Sequence, residues 1–102
     1  TVPDALFGFN AQLAVGAMKA LKRKGFHVPQ QVSVMGFTES QSALVTEPML
    51  SSVAQPLDRM GETAARLLLE KIQNPASENR TVVLEGLLNV RGSSDPKMLD
   101  AE

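Results

Sequence analysis

The sequence predicts an α/β fold whose sheet is mostly parallel, and three observations support this prediction. Two short segments, residues 5–9 and 32–37, are apolar at nearly every position, which is typical of strands buried on both faces of a parallel sheet. An amphipathic helix is predicted between them, so that strand, helix and strand follow one another within about 33 residues, as in a βαβ unit. A second and longer amphipathic stretch covers residues 56–73.

The first predicted helix covers residues 11–24. Asn10 precedes it and belongs to the residue types that cap helix N-termini, while Gly25 follows it as a natural stop. Positively charged side chains in its last turns complement the helix dipole. The apolar residues that repeat with helical spacing are Leu13, Ala14, Ala17, Met18 and Leu21.

The remainder of the chain contains shorter predicted elements around the long helix. Pro56 suits the first position of that helix. Gly86 interrupts the last expected strand, and the tail from Gly92 onward is polar and expected to be frayed. The expected order is a loop at 38–50 with a helical turn at about 40–45, a strand at 50–53, the helix at 56–73, and a last strand that runs through 81–84 and continues at 87–90.

Composition excludes several classes of function. The 102 residues are 43% hydrophobic and 21% charged with a net charge of −1, so no general positive field is available to bind nucleic acid. The chain has no cysteine and its single histidine is His27, which excludes thiolate metal sites and paired histidine ligands. No residue set for covalent or acid–base chemistry is visible. We therefore expect a protein that is not an enzyme, with no metal and no cofactor.

The compartment in which the protein is located is predicted from two features that its sequence lacks. The longest apolar runs are too short to span a bilayer, and no signal-peptide pattern opens the chain. We expect a cytoplasmic protein with no membrane partner.

The predicted elements do not balance, because doubly buried strands need helices on both faces of their sheet. Only two long helices serve about four strands here. Either one face is hidden in an oligomer, or the sequence is the last part of a larger domain. We favour the second interpretation.

Polar side chains follow three of the predicted strands. Asn10 follows the first strand, Thr38 and Glu39 follow the second, and Gln55 follows the third. In open parallel sheets, ligands bind beyond the carboxyl ends of the strands. Amides offer both donors and acceptors, which suits hydroxyl-rich ligands such as sugars. A purely structural interpretation stays open, in which Asn10 caps a helix and the others belong to turns and helix starts.

Five segments, in consistent order and spacing, resemble the motifs of LacI-type transcription regulators. The family motifs are F-x-x-N-D-x-x-A-x-G-A-x-x-A-L, G-x-x-V-P-x-D-V-S-V-x-G-F-D, P-x-L-T-T-V-x-Q-P, M-G-x-x-A-x-x-L-L and L-x-V-R-x-S. They are similar to residues 7–21, 25–37, 48–56, 60–68 and 88–94. The resemblance covers about residues 4 to 94, which is nearly the whole chain.

The resemblance implies a partial lobe of the periplasmic-binding-protein type I-like fold. Members carry an N-terminal helix-turn-helix domain followed by a two-lobed effector domain that binds a small ligand, often a sugar or nucleoside, between its lobes. Residues 1–92 would be the C-terminal part of the effector-binding and dimerisation domain, and 93–102 a polar tail. The helix 56–73 would cross into the other lobe near residues 53–55, leaving its apolar side chains without their partner surface.

The resemblance also implies roles for single residues. Asn10 matches a family residue at the effector cleft, Thr38 occupies a position where the family usually has an effector-binding aspartate, and Gln55 matches a crossover residue that can face the ligand. Two departures stand out, since Ala11 replaces the aspartate of the N-D pair and Thr38-Glu39 replaces D-D or D-N. Because a hydroxyl at 38 cannot hold two ligand hydroxyls through two separate charged oxygens as a carboxylate does, Glu39 is a candidate to supply the charge.

The implied partners are a sugar-like small effector, a second copy of the chain, and DNA reached only through a helix-turn-helix domain absent from this sequence. The candidate dimer surface consists of Val15 and Met18, expected on the exposed side of the first helix, together with Leu44 and Val45. The alternative function is a solute-binding receptor of a transporter with the same lobe fold. A more distant third option is a fragment of an α/β enzyme.

Overall fold

The computed structural model describes residues 2–101 of the chain. The elements in chain order are β1 (Ala5–Gly8), α1 (Ala11–Arg23), β2 (Ser33–Phe37), α2 (Ser42–Val45), β3 (Ser51–Ala54), α3 (Leu57–Gln73), β4 (Leu87–Asn89) and a final 3-10 helix (Pro96–Ala101). Seven of these eight elements coincide with predicted ones to within a few residues. The final 3-10 helix lies in the segment that was expected to be frayed.

The strands form a sheet in the order β1-β2-β3-β4, counted over the described part of the chain. β1 pairs with β2 in parallel, β2 pairs with β3 in parallel, and β3 pairs with β4 in antiparallel orientation. In the register, Gly8 lies opposite Gly36, and Ser52 lies opposite Asn89. The predicted α/β class with a mostly parallel sheet and one βαβ unit is confirmed.

The chain divides into two compact units. The first contains residues 1–54 and 87–102, and with them the whole sheet, α1 and α2. The second contains Gln55–Gly86, and with it α3. The chain thus leaves the sheet directly after β3 and returns to it at β4. The first of these two crossings coincides with the crossover expected near residues 53–55.

α1 forms because both of its ends are satisfied locally. The Asn10 side chain accepts a hydrogen bond from the Leu13 backbone N–H over 2.9 Å, as expected of an N-cap. At the other end, the backbone N–H of Lys24 donates to carbonyls of the last turn, and Gly25 adopts a positive φ of 87°. Such a φ favours glycine, which explains why the helix ends there.

α1 lies unusually close to the sheet, and two glycines permit this approach. A Cβ atom on Gly8 would lie 2.7 Å from the backbone N of Ala14 and 2.8 Å from its Cα. A Cβ atom on Gly36 would lie 3.2 Å from Leu50 Cδ2 and 3.3 Å from Ala14 Cβ. Because these glycines are register partners, they form a flat surface on which the helix rests. Ala14 itself is fully buried there.

The core of the first unit lies on this side of the sheet and consists of Ala11, Ala14, Met18, Val28, Val34, Ala43 and Leu50. The strand residues of the opposite side include Phe7, which is 63% exposed and packs against Phe37 with ring centroids 6.3 Å apart. Among the described residues of the first unit, no helix covers that side. The imbalance predicted between strands and helices is therefore a property of the structure.

The second unit also has exposed apolar side chains, which lie on its helix. None of the described side chains of α3 is buried, and its exposed apolar residues include Leu57, Met60, Leu68, Leu69 and Ile72. The apolar face of this helix lacks a partner in the described chain, as predicted. After the helix, an ion pair joins Arg80 to Glu70 and the Lys71 ammonium donates to the Ser77 carbonyl.

The predicted strand at 81–84 is wrong. Residues 81–84 have no strand assignment, and Val82 and Val83 are exposed. Their β-branched side chains favour an extended chain, but a strand also needs a neighbouring strand, and none pairs with them in the described chain. Only Leu87–Asn89 joins the sheet.

The expectation of a frayed tail from Gly92 is also wrong. Ser93 is fully buried, where its Oγ donates to the Val34 carbonyl over 2.6 Å and accepts from the Ser51 N–H over 2.7 Å. Its backbone N–H donates to the Met49 carbonyl, and its carbonyl accepts from the Val34 N–H. Ser93 therefore links the start of β2 to the start of β3, a role that its polar type does not announce.

We predict that Gly8→Ala lowers the free energy of unfolding by about 1–3 kcal/mol, because its Cβ would overlap the backbone of Ala14. The measurement is urea unfolding followed by circular dichroism. Gly16→Ala is the matched control, since a Cβ there meets nothing within 4 Å. The control is expected to gain about 0.5–1 kcal/mol from helix propensity. Equal effects of the two substitutions would contradict the close approach of α1.

Candidate ligand-binding site

A hollow of about 440 Å³ lies beyond the carboxyl ends of β1 and β2. We call it the strand-end hollow, and it is lined by Asn10, Ala11, Gln12, Thr38, Ser40 and Ser42. It occupies the position where open parallel sheets bind ligands. Two of the four predicted ligand residues, Asn10 and Thr38, are thus brought together. Three residues that line the hollow were not predicted, namely Gln12, Ser40 and Ser42. Gln12 lies two positions after Asn10, and the two serines lie in the loop predicted at 38–50.

Asn10 serves two purposes in this arrangement. Its Oδ1 accepts the capping hydrogen bond from Leu13, while within the described residues its Nδ2 makes no hydrogen bond. The amide can therefore hold the start of α1 with one atom and offer donors to a ligand with the other. The structural and the ligand-binding interpretations of Asn10 are compatible.

Thr38 has a strained backbone. Its φ is 76°, a conformation in which a β-branched residue is rare. Its N–H donates to the Val53 carbonyl over 3.0 Å, so the chain is held to β3 directly after β2 ends. Strain of this kind collects at ligand sites, where the surrounding structure enforces it. Beyond Thr38, the hydroxyl groups of Ser40 and Ser42 lie 2.6 Å apart and continue the polar lining.

Glu39 does not line the hollow. Its Oε1 accepts hydrogen bonds from Ser52 Oγ at 2.7 Å and from Arg91 NH1 at 3.0 Å. Its Oε2 accepts from Asn89 Nδ2 at 2.5 Å and from Arg91 NH2 at 2.8 Å. A carboxylate has about four acceptor positions, and here all four are used within the chain. The prediction that Glu39 supplies charge to the ligand is therefore not supported by the geometry.

The same contacts set the charge state of Glu39. The hydrogen bonds from Arg91 are the main cause of a lowered pKa, which falls from 4.5 to about 2. Partial burial opposes this effect, and the hydrogen bonds from Ser52 and Asn89 reinforce it. The carboxylate is consequently ionised at neutral pH and neutralised by Arg91. The strand-end hollow itself contains only amide, hydroxyl and apolar side chains.

Gln55 is the first residue of the second unit and directly follows β3. It is half-buried and has interactions of its own. Its contact with a ligand stays a prediction.

The predicted dimer residues gather around a second hollow, of about 330 Å³, which we call the α1–α2 hollow. Val15, Met18 and Val45 line it, together with Lys19, Lys22, Ser42, Thr46 and Glu47. Val45 is 82% exposed and Leu44 is also exposed. The expected exposure of Met18 is wrong, because this side chain is only 2% exposed and belongs to the core. It faces Val34 and Leu50 rather than solvent because it lies one helical turn after Ala14.

Other kinds of site find no support in the described part of the chain. Among residues 2–101, no group of three or more acidic or histidine side chains could hold a metal ion. No described helix is long and apolar enough to cross a membrane.

The parallel sheet and the strand-end hollow define one lobe of an α/β ligand-binding domain. A family model described as a periplasmic binding protein-like domain matches residues 1–94, and the chain belongs to this family. Its relatives are transcription regulators, and the predicted resemblance to the LacI type is confirmed.

Three comparisons illustrate this relationship. The ribose operon repressor of Haemophilus influenzae is 37% identical over 91 residues, which are 89% of this chain and 27% of the repressor. The structure of the regulator CelR in complex with cellobiose has a TM-score of 0.81 and 37% identity, covering 89% of this chain and 28% of CelR. The lac repressor dimer bound to operator has a TM-score of 0.80 and 29% identity, covering 91% of this chain and 32% of the repressor chain. The chain thus spans about a quarter to a third of the length of these relatives.

We predict that acid weakens the fold through Glu39. Because its pKa is lower in the folded than in the unfolded chain, its stabilisation is complete above pH 4.5 and is lost as the pH falls toward about 2. The full shift corresponds to about 3 kcal/mol. Solvent screening of a side chain that is 30% exposed reduces the expected loss to about 1–2 kcal/mol.

Urea unfolding at a series of pH values between neutral and acid measures this effect. Glu39→Gln should be less stable at neutral pH and should show a shallower pH dependence. Glu47→Gln, which alters an exposed side chain, is the control and should retain the pH dependence of the unmodified protein. An unchanged pH dependence in Glu39→Gln would rule out this role.

Proposed function

We propose that this chain is the ligand-sensing and dimerisation portion of a LacI-type transcription regulator, and that it binds a small, sugar-like effector. In this proposal Asn10 and Thr38 contact the effector in the strand-end hollow, and Gln55 contacts it from the crossover after β3. Glu39 contributes indirectly, because its carboxylate is occupied by Arg91.

The strand-end hollow is the observation that carries the proposal. It lies at the carboxyl edge of a parallel sheet, and its lining offers hydroxyl and amide groups that both donate and accept. Hydroxyl-rich ligands need such a mixture, because every sugar hydroxyl is itself a donor and an acceptor. The hollow contains no carboxylate, so an effector that depends on a cationic group is disfavoured.

The names of the relatives support the same class of effector. CelR binds cellobiose, a further structure of a LacI family regulator from Enterococcus faecium contains ribose, and the Haemophilus influenzae relative is the repressor of a ribose operon. None of these proteins is named as an enzyme. We propose that the whole protein contacts operator DNA through a helix-turn-helix domain outside this chain and acts in the cytoplasm, where its operator lies.

A regulator of this kind responds only if the effector binds two states of the protein with different affinity. Coupling of about 1–3 kcal/mol between effector and DNA is typical. The chain passes from the first unit to the second directly after β3 and returns directly before β4.

We also propose that the chain forms a homodimer through the α1–α2 hollow. Val15, Met18 and the exposed Val45 line that hollow, and the neighbouring Leu44 is also exposed. The lac repressor, which this chain resembles, forms a dimer on its operator.

We predict that the full-length protein binds at least one sugar in a calorimetric panel of ribose, galactose, glucose and cellobiose. Asn10→Ser should weaken this binding about tenfold, because it removes the amide donor. Serine retains an N-cap oxygen, so the stability of α1 should change little. Gln30→Ser, which alters an exposed residue outside the hollow, is the control.

Operator binding with and without the bound sugar completes this test. A sugar that binds but never changes DNA affinity would favour the alternative function, a solute-binding receptor. If no member of the panel binds, the sugar-sensing proposal fails.

We predict that Val45→Asp raises the dimer dissociation constant of the full-length protein at least about tenfold, because it replaces an apolar contact by a carboxylate that must lose its hydration on association. Sedimentation equilibrium measures this constant. Val83→Asp alters an equally exposed valine of the second unit and should leave dimerisation unchanged. A dimer that tolerates Val45→Asp would exclude this surface.

A further inference from the structure

We propose that Arg91 is a positioning residue of the strand-end hollow. It does not touch the ligand. It holds Glu39 and thereby fixes the backbone of the neighbouring residues Thr38 and Ser40. The inference rests on the proposed function, since it assigns Arg91 a part in ligand affinity. It goes beyond that function because Arg91 follows β4 and lies outside the residues that line the hollow.

The direction of the Glu39 side chain is the first step of the argument. Thr38 and Ser40 both line the hollow, whereas the residue between them does not. The carboxylate of Glu39 instead lies against Ser52, Asn89 and Arg91. The loop that forms one wall of the hollow is thus fixed from behind, at its central residue.

Arg91 is itself held firmly enough to serve as an anchor. Its NH1 donates to the Leu50 carbonyl over 2.7 Å. Its backbone N–H donates to Ser51 Oγ over 2.7 Å, and Ser51 Oγ donates to the Arg91 carbonyl over 3.0 Å. Ser51 is fully buried in β3. The guanidinium therefore reaches Glu39 from a backbone that is attached to the sheet on both sides.

The strained backbone of Thr38 is the feature that the contact between Arg91 and Glu39 maintains. A threonine at a φ of 76° tends to relax to an ordinary conformation unless its neighbours prevent it. The hydrogen bond from the Thr38 N–H to Val53 restrains one side of this residue, and the ion pair of Glu39 restrains the other. Loss of the ion pair releases the wall of the hollow while leaving the contact between α1 and the sheet intact.

A matched control separates positioning from general stability. Ser93→Ala removes two buried hydrogen bonds at the start of β2 and β3, and none of the bonds of Ser93 involves residues 38–42. Arg91→Gln and Ser93→Ala are both expected to lower the unfolding midpoint. Only Arg91→Gln is expected to loosen the hollow.

The first experiment is hydrogen–deuterium exchange of the ligand-free full-length protein. In Arg91→Gln, the peptide covering residues 38–46 should exchange about tenfold faster than in the unmodified protein, while peptides from α1 should not change. In Ser93→Ala, the same peptide should exchange at its original rate. Arg91→Lys retains one charged contact and should fall between the two. Equal exchange of residues 38–46 in Arg91→Gln and the unmodified protein would overturn the proposal.

The second experiment is a double-mutant cycle on the affinity for the sugar that binds most tightly in the calorimetric panel of ribose, galactose, glucose and cellobiose. Arg91→Gln alone should weaken binding about tenfold, and it should add little in a Glu39→Gln background, because it acts through Glu39. Additive effects, or equal weakening by Ser93→Ala, would overturn the positioning role. If no sugar of the panel binds the unmodified protein, the proposed function fails, and the exchange experiment alone decides whether Arg91 holds the hollow.

Discussion

The close approach of α1 to the sheet is the contact on which the first unit depends. Gly8 and Gly36 lie side by side in neighbouring strands. Because they have no side chains, Ala14 can pack directly on the sheet. The axis of α1 is thereby fixed, and with it the position of Asn10 at the start of the helix. Asn10, Ala11 and Gln12, at the start of α1, form one side of the strand-end hollow. A larger residue at Gly8 would alter the site as well as the core.

A second constraint acts on the opposite wall of the hollow. Glu39 and Arg91 lie 52 positions apart in sequence, yet their ion pair joins the loop after β2 to the segment after β4. Ser52 and Asn89, which are register partners in β3 and β4, complete the set of donors. These two strands also lead to the crossings between the two units. A displacement of either strand would therefore be transmitted by the Glu39 carboxylate to the loop that lines the strand-end hollow.

Local patterns predicted the βαβ unit, both long helices and two of the residues that line the strand-end hollow, because capping, helical spacing and apolar strands are encoded within a few neighbouring residues. The errors concern long-range partners. Nothing local to Ser93 indicates that it bridges β2 and β3, and nothing local to residues 81–84 indicates that no strand lies beside them. Glu39 was placed at the correct edge of the sheet, but its direction depends on Arg91. Met18 was assigned to the wrong side of α1 because a helical spacing does not state which side faces the sheet.

A ligand bound only by the strand-end hollow would stay exposed to water, and tight binding therefore needs more than one wall. A ligand in an open hollow remains in contact with water on its outer side, so each hydrogen bond to Asn10 or Thr38 replaces one to water and contributes only about 1 kcal/mol. Two to four such bonds correspond to dissociation constants in the millimolar range or weaker. Tight binding requires a second surface that excludes water.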